Sequence, residues 1–114
     1  MNQDDIRALA LSLPEAEEHP HFDRASFRVR GKIFATLPED GRTANLKTTP
    51  IGLDMLLRHD ERTYRDVWGG RWVGVELSRA DPDELCELLL EAYCLAAPKT
   101  LGKAARATLR SPVR

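Results

Sequence analysis

Four basic residues and no acidic residue occur between positions 24 and 36. This segment is predicted to form a β-hairpin that contains Arg28, Arg30 and Lys32. Lys47 lies in the next predicted strand. Lys and Arg attract phosphates without reading the base sequence, and a two-stranded ribbon can enter a major groove. The hairpin is therefore a candidate nucleic-acid interface. The same charges would also discourage edge-to-edge pairing of strands, so both interpretations stay open.

A second basic pattern runs along the predicted C-terminal helix. Lys99, Lys103, Arg106 and Arg110 follow one another at spacings of four, three and four, which places them on one helical face. Such a face can follow a phosphate backbone and would assist the hairpin. A solvated surface helix has the same pattern, so the stripe alone does not decide between the two interpretations.

Aromatic residues surround a Gly-Gly-Arg segment at positions 69–71. A tryptophan in a glycine-rich loop can stack on a base or anchor a protein partner. Trp68 and Arg71 are therefore candidate partner-binding residues, and a protein-interaction or regulatory module is the alternative to nucleic-acid binding. Trp72 opens a predicted strand and is expected to cover the core.

An acidic connection over residues 15–23 contains two histidines, His19 and His21. Imidazole and carboxylate groups bind zinc and iron, which makes the histidines candidate metal ligands. They flank a proline, however, and lack the i, i+4 helical spacing of a known zinc motif. We expect a solvated acidic loop without a metal, whose charges would serve the protein-interaction alternative.

Sequence motifs of enzymes are missing from the chain. It has no Gly-x-Ser-x-Gly elbow, no phosphate loop, no dinucleotide glycine fingerprint and no His-Glu-x-x-His. Cys86 and Cys94 lie in a predicted leucine-rich acidic helix, where acidic neighbours raise a thiol pKa. On a helix they would be about 12 Å apart, too far for a disulfide. We therefore expect no catalytic activity, no cofactor and no small-molecule substrate.

Length and composition set outer limits on the class of protein. The chain has 114 residues, of which 42% are hydrophobic and 31% charged, as in a soluble globular domain. A net charge of −1 excludes nucleic-acid binding by bulk charge alone. No apolar run approaches a membrane span, and the N-terminus is acidic, so we expect a cytoplasmic protein without a membrane partner. One domain over residues 1–114 is expected, with a disordered tail from about residue 110.

Hydrophobic periodicity and turn signals predict the elements that position these residues. Asn2, Thr49-Pro50 and Asp81-Pro82 are predicted helix starts, and Gly31 is the turn of a hairpin with Phe27, Val29 and Phe34 on one face. The predicted order is α-β-β-β-α-β-α-α. This order predicts an α+β fold with a mostly antiparallel four-stranded sheet and helices packed mainly on one face.

The pattern Phe-x-Val-x-Gly-Lys-x-Phe-Ala spans Phe27 to Ala35. Together with the Leu-Lys-Thr-Thr-Pro segment ending at Pro50, Trp72-Val73 and a late Glu-Ala-Tyr, it resembles the MmcQ/YjbR-like family of small bacterial proteins. The resemblance covers about residues 13–101. It implies a "double wing" α+β domain related in shape to the frataxin-like CyaY fold, and DNA binding. Double-stranded DNA is the partner that we expect. It supplies no catalytic residues.

Overall fold

Four helices and six strands follow one another in residues 1–109, the part of the chain that the computed structural model describes. In chain order they are α1 (Gln3–Leu11), β1 (Ala16–His21), β2 (Arg24–Val29), β3 (Lys32–Leu37), β4 (Thr43–Lys47), α2 (Pro50–His59), β5 (Tyr64–Asp66), β6 (Trp72–Glu76), α3 (Pro82–Ala96) and α4 (Lys99–Leu109). The strands form one antiparallel sheet in the spatial order β1-β2-β3-β4-β6-β5. The expected tail and Arg110 lie outside the described residues.

The α+β class and the antiparallel sheet are confirmed, but the prediction of four strands is wrong. Both additional strands are edge strands, β1 and β5. The β1 sequence contains Pro20 and lacks alternation of polar and apolar residues. Proline is tolerated there because an edge strand needs hydrogen bonds on one side only. The supposed acidic loop is thus largely strand, and β5 directly precedes the glycine-rich loop around Trp68.

The core lies between the sheet and the helices. Phe27, Val29 and Phe34 point to the same face, as predicted, and all three are fully buried. Helix α3 packs across β3 and β4, where the Tyr93 ring meets Phe34 edge-on at 5.4 Å between centroids. Helix α1 contacts β1 and β4, and α2 contacts β5.

A β-bulge in β3 changes the face on which residues after it lie. Phe27 pairs with Ala35 whereas the next residue of β2, Arg28, pairs with Ile33, so Phe34 is the extra residue. Strict alternation along β3 would place both Ile33 and Leu37 on the face of Arg28. The bulge leaves Ile33 there and turns Leu37 into the core.

Helix starts follow the predicted caps. The side chains of Asn2, Thr49 and Asp81 each accept a backbone N–H in the first turn of α1, α2 and α3. The carboxylate of Glu84, in the first turn of α3, accepts the hydroxyl proton of Tyr64. Within residues 1–109, no helix is long and apolar enough to cross a membrane.

Helix α2 leaves large apolar side chains exposed. Leu53 is buried, but Ile51 and Met55 are 76% and 65% exposed. The two cysteines lie on α3 and are not bonded to each other. Burial, with Asp83 and Glu87 nearby, raises the pKa of the Cys86 thiol.

Two turns of the same sequence type start β4 and β5. In Asp40-Gly-Arg-Thr43 and Asp60-Glu-Arg-Thr63, one carboxylate oxygen accepts two backbone N–H groups and the other accepts the threonine hydroxyl. Such side-chain turns fix the direction in which a strand begins. The turn at Asp60 therefore positions β5, which the sequence pattern does not reveal.

Candidate nucleic-acid interface

The face of the sheet opposite α1 and α3, called the open face below, is polar. Cross-strand partners share a face, so the pairing register identifies its members. They are Glu17, His19 and His21 from β1; Arg24, Ser26 and Arg28 from β2; Ile33 and Thr36 from β3; Thr43, Asn45 and Lys47 from β4; Arg65 from β5; and Trp72, Gly74 and Glu76 from β6.

The β5–β6 loop brings Trp68 back over the open face. Gly69 and Gly70 have φ angles of +68° and +94°, which residues with a Cβ adopt rarely. The Asp66 carboxylate accepts the Gly70 N–H at 3.0 Å and holds the turn closed. Trp68 then meets Trp72 edge-on at 5.4 Å between centroids. Trp72 pairs with Lys47 and therefore lies on the open face, so the expectation that it covers the core is wrong.

Two cations of the open face lie over these aromatic rings. The Arg24 guanidinium carbon lies 5.6 Å from the Trp68 ring centroid, and the Lys47 ammonium lies 5.5 Å from that of Trp72. Cation–π contacts of this kind keep the charge at the surface while fixing its position. Arg28 beside them donates to Ser26 Oγ at 3.3 Å.

Positive charge is in excess on the open face. Four cations, Arg24, Arg28, Lys47 and Arg65, share this face with two carboxylates, Glu17 and Glu76, and Arg24 also pairs with Asp23 of the adjoining turn at 3.5 Å. Glu76 pairs with Arg42 at 3.3 Å, which takes it out of this balance. Among the described residues, Arg28, Lys47 and Arg65 have no carboxylate within 4.0 Å. Their charges are available to an anionic ligand.

Arg30 and Lys32 lie at the tip of the β2–β3 hairpin. Arg30 has φ +51° and binds both carboxylate oxygens of Glu15, at 2.6 and 3.0 Å. This hydrogen bond from Arg30 lowers the pKa of the Glu15 carboxyl. The charge of Arg30 is thus partly neutralised within the protein, whereas Lys32 is exposed.

The basic stripe on α4 lies elsewhere in the molecule. Helix α4 packs against α3, where Cys94 Sγ is 3.9 Å from the Gly102 carbonyl oxygen. Lys99 and Lys103 are exposed, and Arg106 lines a cavity of about 250 Å³ that also contains Glu91. Because α3 covers the core face, this stripe belongs to the helical layer and does not join the open face.

The acidic residues near the histidines have partners in the protein. Glu15 binds Arg30, Glu18 binds Arg7 of α1 at 3.1 Å, and Glu17 contacts His19 at 2.8 Å. His21 lies edge-on to Phe22 at 4.7 Å between centroids. Within residues 1–109, no three His, Cys, Asp or Glu side chains come together as a metal site would require.

Sequence reasoning missed three features of this region. Arg65 joins the open face only because β5 pairs with β6, and no pattern in its sequence predicts that strand. Arg24 belongs to the basic segment 24–36, but its contact with Trp68 joins residues 44 positions apart. Phe22 is 93% exposed, and its place in a two-residue turn becomes apparent only from the β1–β2 register.

Arg71, a predicted partner-binding residue, is exposed beside Trp72.

Comparison with known proteins places the fold in a family. The chain is similar to the crystal structure of the Deinococcus radiodurans protein DR2400, a DUF419 domain, with 26% identity and a TM-score of 0.75 over 96% of this chain and 88% of that one. A Pseudomonas syringae protein structure matches at 18% identity and a TM-score of 0.65, over 85% and 100% of the two chains, and shows likeness of fold alone. No curated protein matches the chain.

A family model decides the assignment. The YjbR model matches residues 11–95, a range that contains the whole open face and stops short of α4. The chain therefore belongs to the YjbR family.

Proposed function

We propose that the protein binds DNA through phosphate contacts on the open face, with little preference for base sequence. One observation carries the proposal: Arg28, Lys47 and Arg65 lie on one polar sheet face without carboxylate partners among the described residues. Phosphates attract such cations, and the contacts carry no sequence information. The role proposed is binding without catalysis.

The protein-interaction alternative has weaker support. It relied on an acidic loop, but Glu15 and Glu18 are paired with arginines of the same chain. The half-exposed ring of Trp68 is the feature in its favour. Binding that depends on Trp68 and withstands moderate salt would favour this alternative over phosphate contacts.

The test is fluorescence anisotropy of labelled duplex DNA at low and at physiological salt. The variant Arg28→Gln/Lys47→Gln removes two charges and keeps most of each side-chain stem. The matched control Lys99→Gln/Lys103→Gln removes two charges from α4. Circular dichroism and thermal unfolding establish that both variants fold.

We expect the open-face variant to bind about 50-fold more weakly at 0.1 M salt and to lower the log–log salt slope by about 2. The α4 variant should keep the native slope. No binding at low salt, where electrostatic attraction is strongest, would refute the proposal. Equal losses in the two variants would refute the choice of the open face.

A further inference from the structure

Phe22 occupies a position that neither packing nor turn geometry favours. His21 pairs directly with Arg24, so Phe22 and Asp23 form a two-residue hairpin loop. The φ angle of Phe22 is +58°, in the left-handed region where glycine, asparagine and aspartate are preferred. The side chain is 93% exposed and therefore gains almost nothing from burial. An exposed aromatic ring on a strained backbone points to a role outside the fold.

Phe22 forms one side of a slot on the open face. The slot has a volume of about 380 Å³ and is lined by His21, Phe22, Asp23, Arg24 and Trp68. This volume lies within the range of roughly 300–1,000 Å³ that ligand sites have. A smaller pocket of about 190 Å³ shares His21 and Trp68 with the slot.

The chemistry of the slot suits a flat ring attached to an anionic chain. Phe22 and Trp68 offer aromatic surfaces, and Arg24 stacks on Trp68. Arg28 and Lys47 lie on the same face of the sheet, where they can hold phosphates. Aromatic rings for the bases beside cations for the backbone are the components of sites for single-stranded nucleic acid. In a duplex the faces of the bases are covered by their neighbours and cannot enter such a slot.

We infer that the slot between Phe22 and Trp68 accepts an unpaired nucleobase, so that the protein binds single-stranded nucleic acid more tightly than duplex. This inference rests on the proposed function, because the same cations hold the phosphates. It adds a substrate class to that function, namely strands whose bases are accessible for stacking.

The experiment compares four labelled probes by fluorescence anisotropy. They are a short oligothymidylate, an abasic strand of equal length and charge, a duplex of equal length, and the corresponding oligouridylate. The abasic strand presents the same phosphates without bases, so it separates stacking from charge. The uridylate arm tells whether DNA or RNA is the tighter ligand.

We expect the oligothymidylate to bind about tenfold or more tightly than the abasic strand or the duplex. Phe22→Ala should abolish this difference and leave abasic binding unchanged, while Phe22→Tyr should preserve it. Ile51→Ala, which removes another exposed apolar side chain, is the matched control. Since Phe22 is almost fully exposed, its variants should fold like the native chain, which thermal unfolding checks.

A second measurement observes the ring itself. The chain has two tryptophans, so Trp72→Phe leaves Trp68 as the sole tryptophan, whose emission is observed by exciting at a wavelength that tyrosine does not absorb. Its emission should be quenched by oligothymidylate and much less by the abasic strand. Equal binding of the two strands, without a difference in quenching, would overturn the inference and leave phosphate binding standing. Absence of binding to every probe at low salt would overturn both.

One further outcome reassigns the slot. Sedimentation of the free protein over a range of concentrations should give a single species, for native chain and Phe22→Ala alike. Self-association that is lost in Phe22→Ala would give the slot to a second copy of this chain and overturn the inference.

Discussion

The protein has two regions rich in basic residues, and they differ in how the charges are held. On the open face, Arg24 and Lys47 stand on Trp68 and Trp72. On α4, Lys99 and Lys103 extend from the solvent side of a helix that packs on α3. Held cations lose little conformational freedom on binding, whereas extended lysines must be ordered by the ligand. The basic pattern is thus more useful for binding on the sheet than on the helix.

The surroundings of the two regions differ as well. Helix α4 lies against an acidic helix, and Arg106 shares a cavity with Glu91. Around Arg28 and Lys47, no described carboxylate comes within 4.0 Å. A spacing of four, three and four along a helix therefore indicates that the charges lie on one side of the helix. It does not indicate whether that side is electropositive.

Charge reversal in each region gives the largest expected difference. Arg28→Glu/Lys47→Glu and Lys99→Glu/Lys103→Glu change the net charge of the chain equally. We expect the first pair to weaken DNA binding more than a hundredfold at 0.1 M salt, because phosphate contacts are lost and repulsion is added. The second pair should cost less than about fivefold, since charges away from the ligand are screened over about 10 Å. Anisotropy titrations measure both, and losses of similar size would show that net charge rather than location controls binding.

Two glycines test the packing of the same regions. A Cβ on Gly74 would lie 2.7 Å from Val67 Cγ1, so Gly74→Ala should lower the free energy of unfolding by about 1–3 kcal/mol. A Cβ on Gly102 would lie 3.4 Å from Cys94 Sγ, an ordinary contact. Gly102→Ala should therefore raise the free energy of unfolding by up to about 1 kcal/mol, because alanine favours the helix. Urea unfolding measures both; a neutral Gly74→Ala would mean that the loop over the open face yields easily.

Local signals predicted most of the helices and the central hairpin. Asn2, Thr49 and Asp81 act within one helical turn, so their capping role is legible in a short stretch of sequence. Gly31 likewise marks its turn, with φ +81°. The edge strands were missed because strand β1 exists through its partner β2, and Pro20 argues against a strand unless its edge position is known.

The candidate site was only partly predictable for the same reason. Alternation predicted that Arg28 and Phe27 lie on opposite faces of the sheet, and they do. The bulge at Phe34 and the return of Trp68 over β2 depend on contacts distant in sequence. A pattern of residue types identifies which side chains are charged. Whether those charged side chains come together on one surface depends on the folded sheet.

Acid should weaken the two aspartate turns that start β4 and β5. Burial alone would raise the pKa of Asp40, but hydrogen bonds from Arg42 and Thr43 outweigh it, so the pKa is lowered. The pKa of Asp60 is lowered as well, mainly by the hydrogen bond from the Thr63 hydroxyl. A lowered folded pKa gives stability that is present above the ordinary value of 3.8 and lost as the pH falls through the folded value. We expect Asp40→Asn/Asp60→Asn to flatten the loss of unfolding free energy below about pH 4, measured by urea unfolding at a series of pH values. Glu61→Gln, in one of these turns, is the control, and an unchanged pH profile in the aspartate variant would contradict the assignment.

Arg30 is the intermediate case between the two regions, a basic residue in the predicted site whose charge is already engaged. Arg30→Gln removes the hydrogen bond that lowers the pKa of Glu15, so that pKa should rise towards its ordinary value of 4.5, as a carboxyl-detected NMR titration measures. DNA affinity should fall by about twofold or less, because the carboxylate of Glu15 already offsets much of the arginine's charge at the hairpin tip. Arg28→Gln, two residues away on the open face, should instead lower the salt slope by about 1. If Arg30→Gln lowers the slope as much, then the ion pair opens on binding and the interface extends to the hairpin tip. A charge that is bound within the protein would then still be available to a ligand, and the contrast between engaged and unengaged cations would no longer define the site.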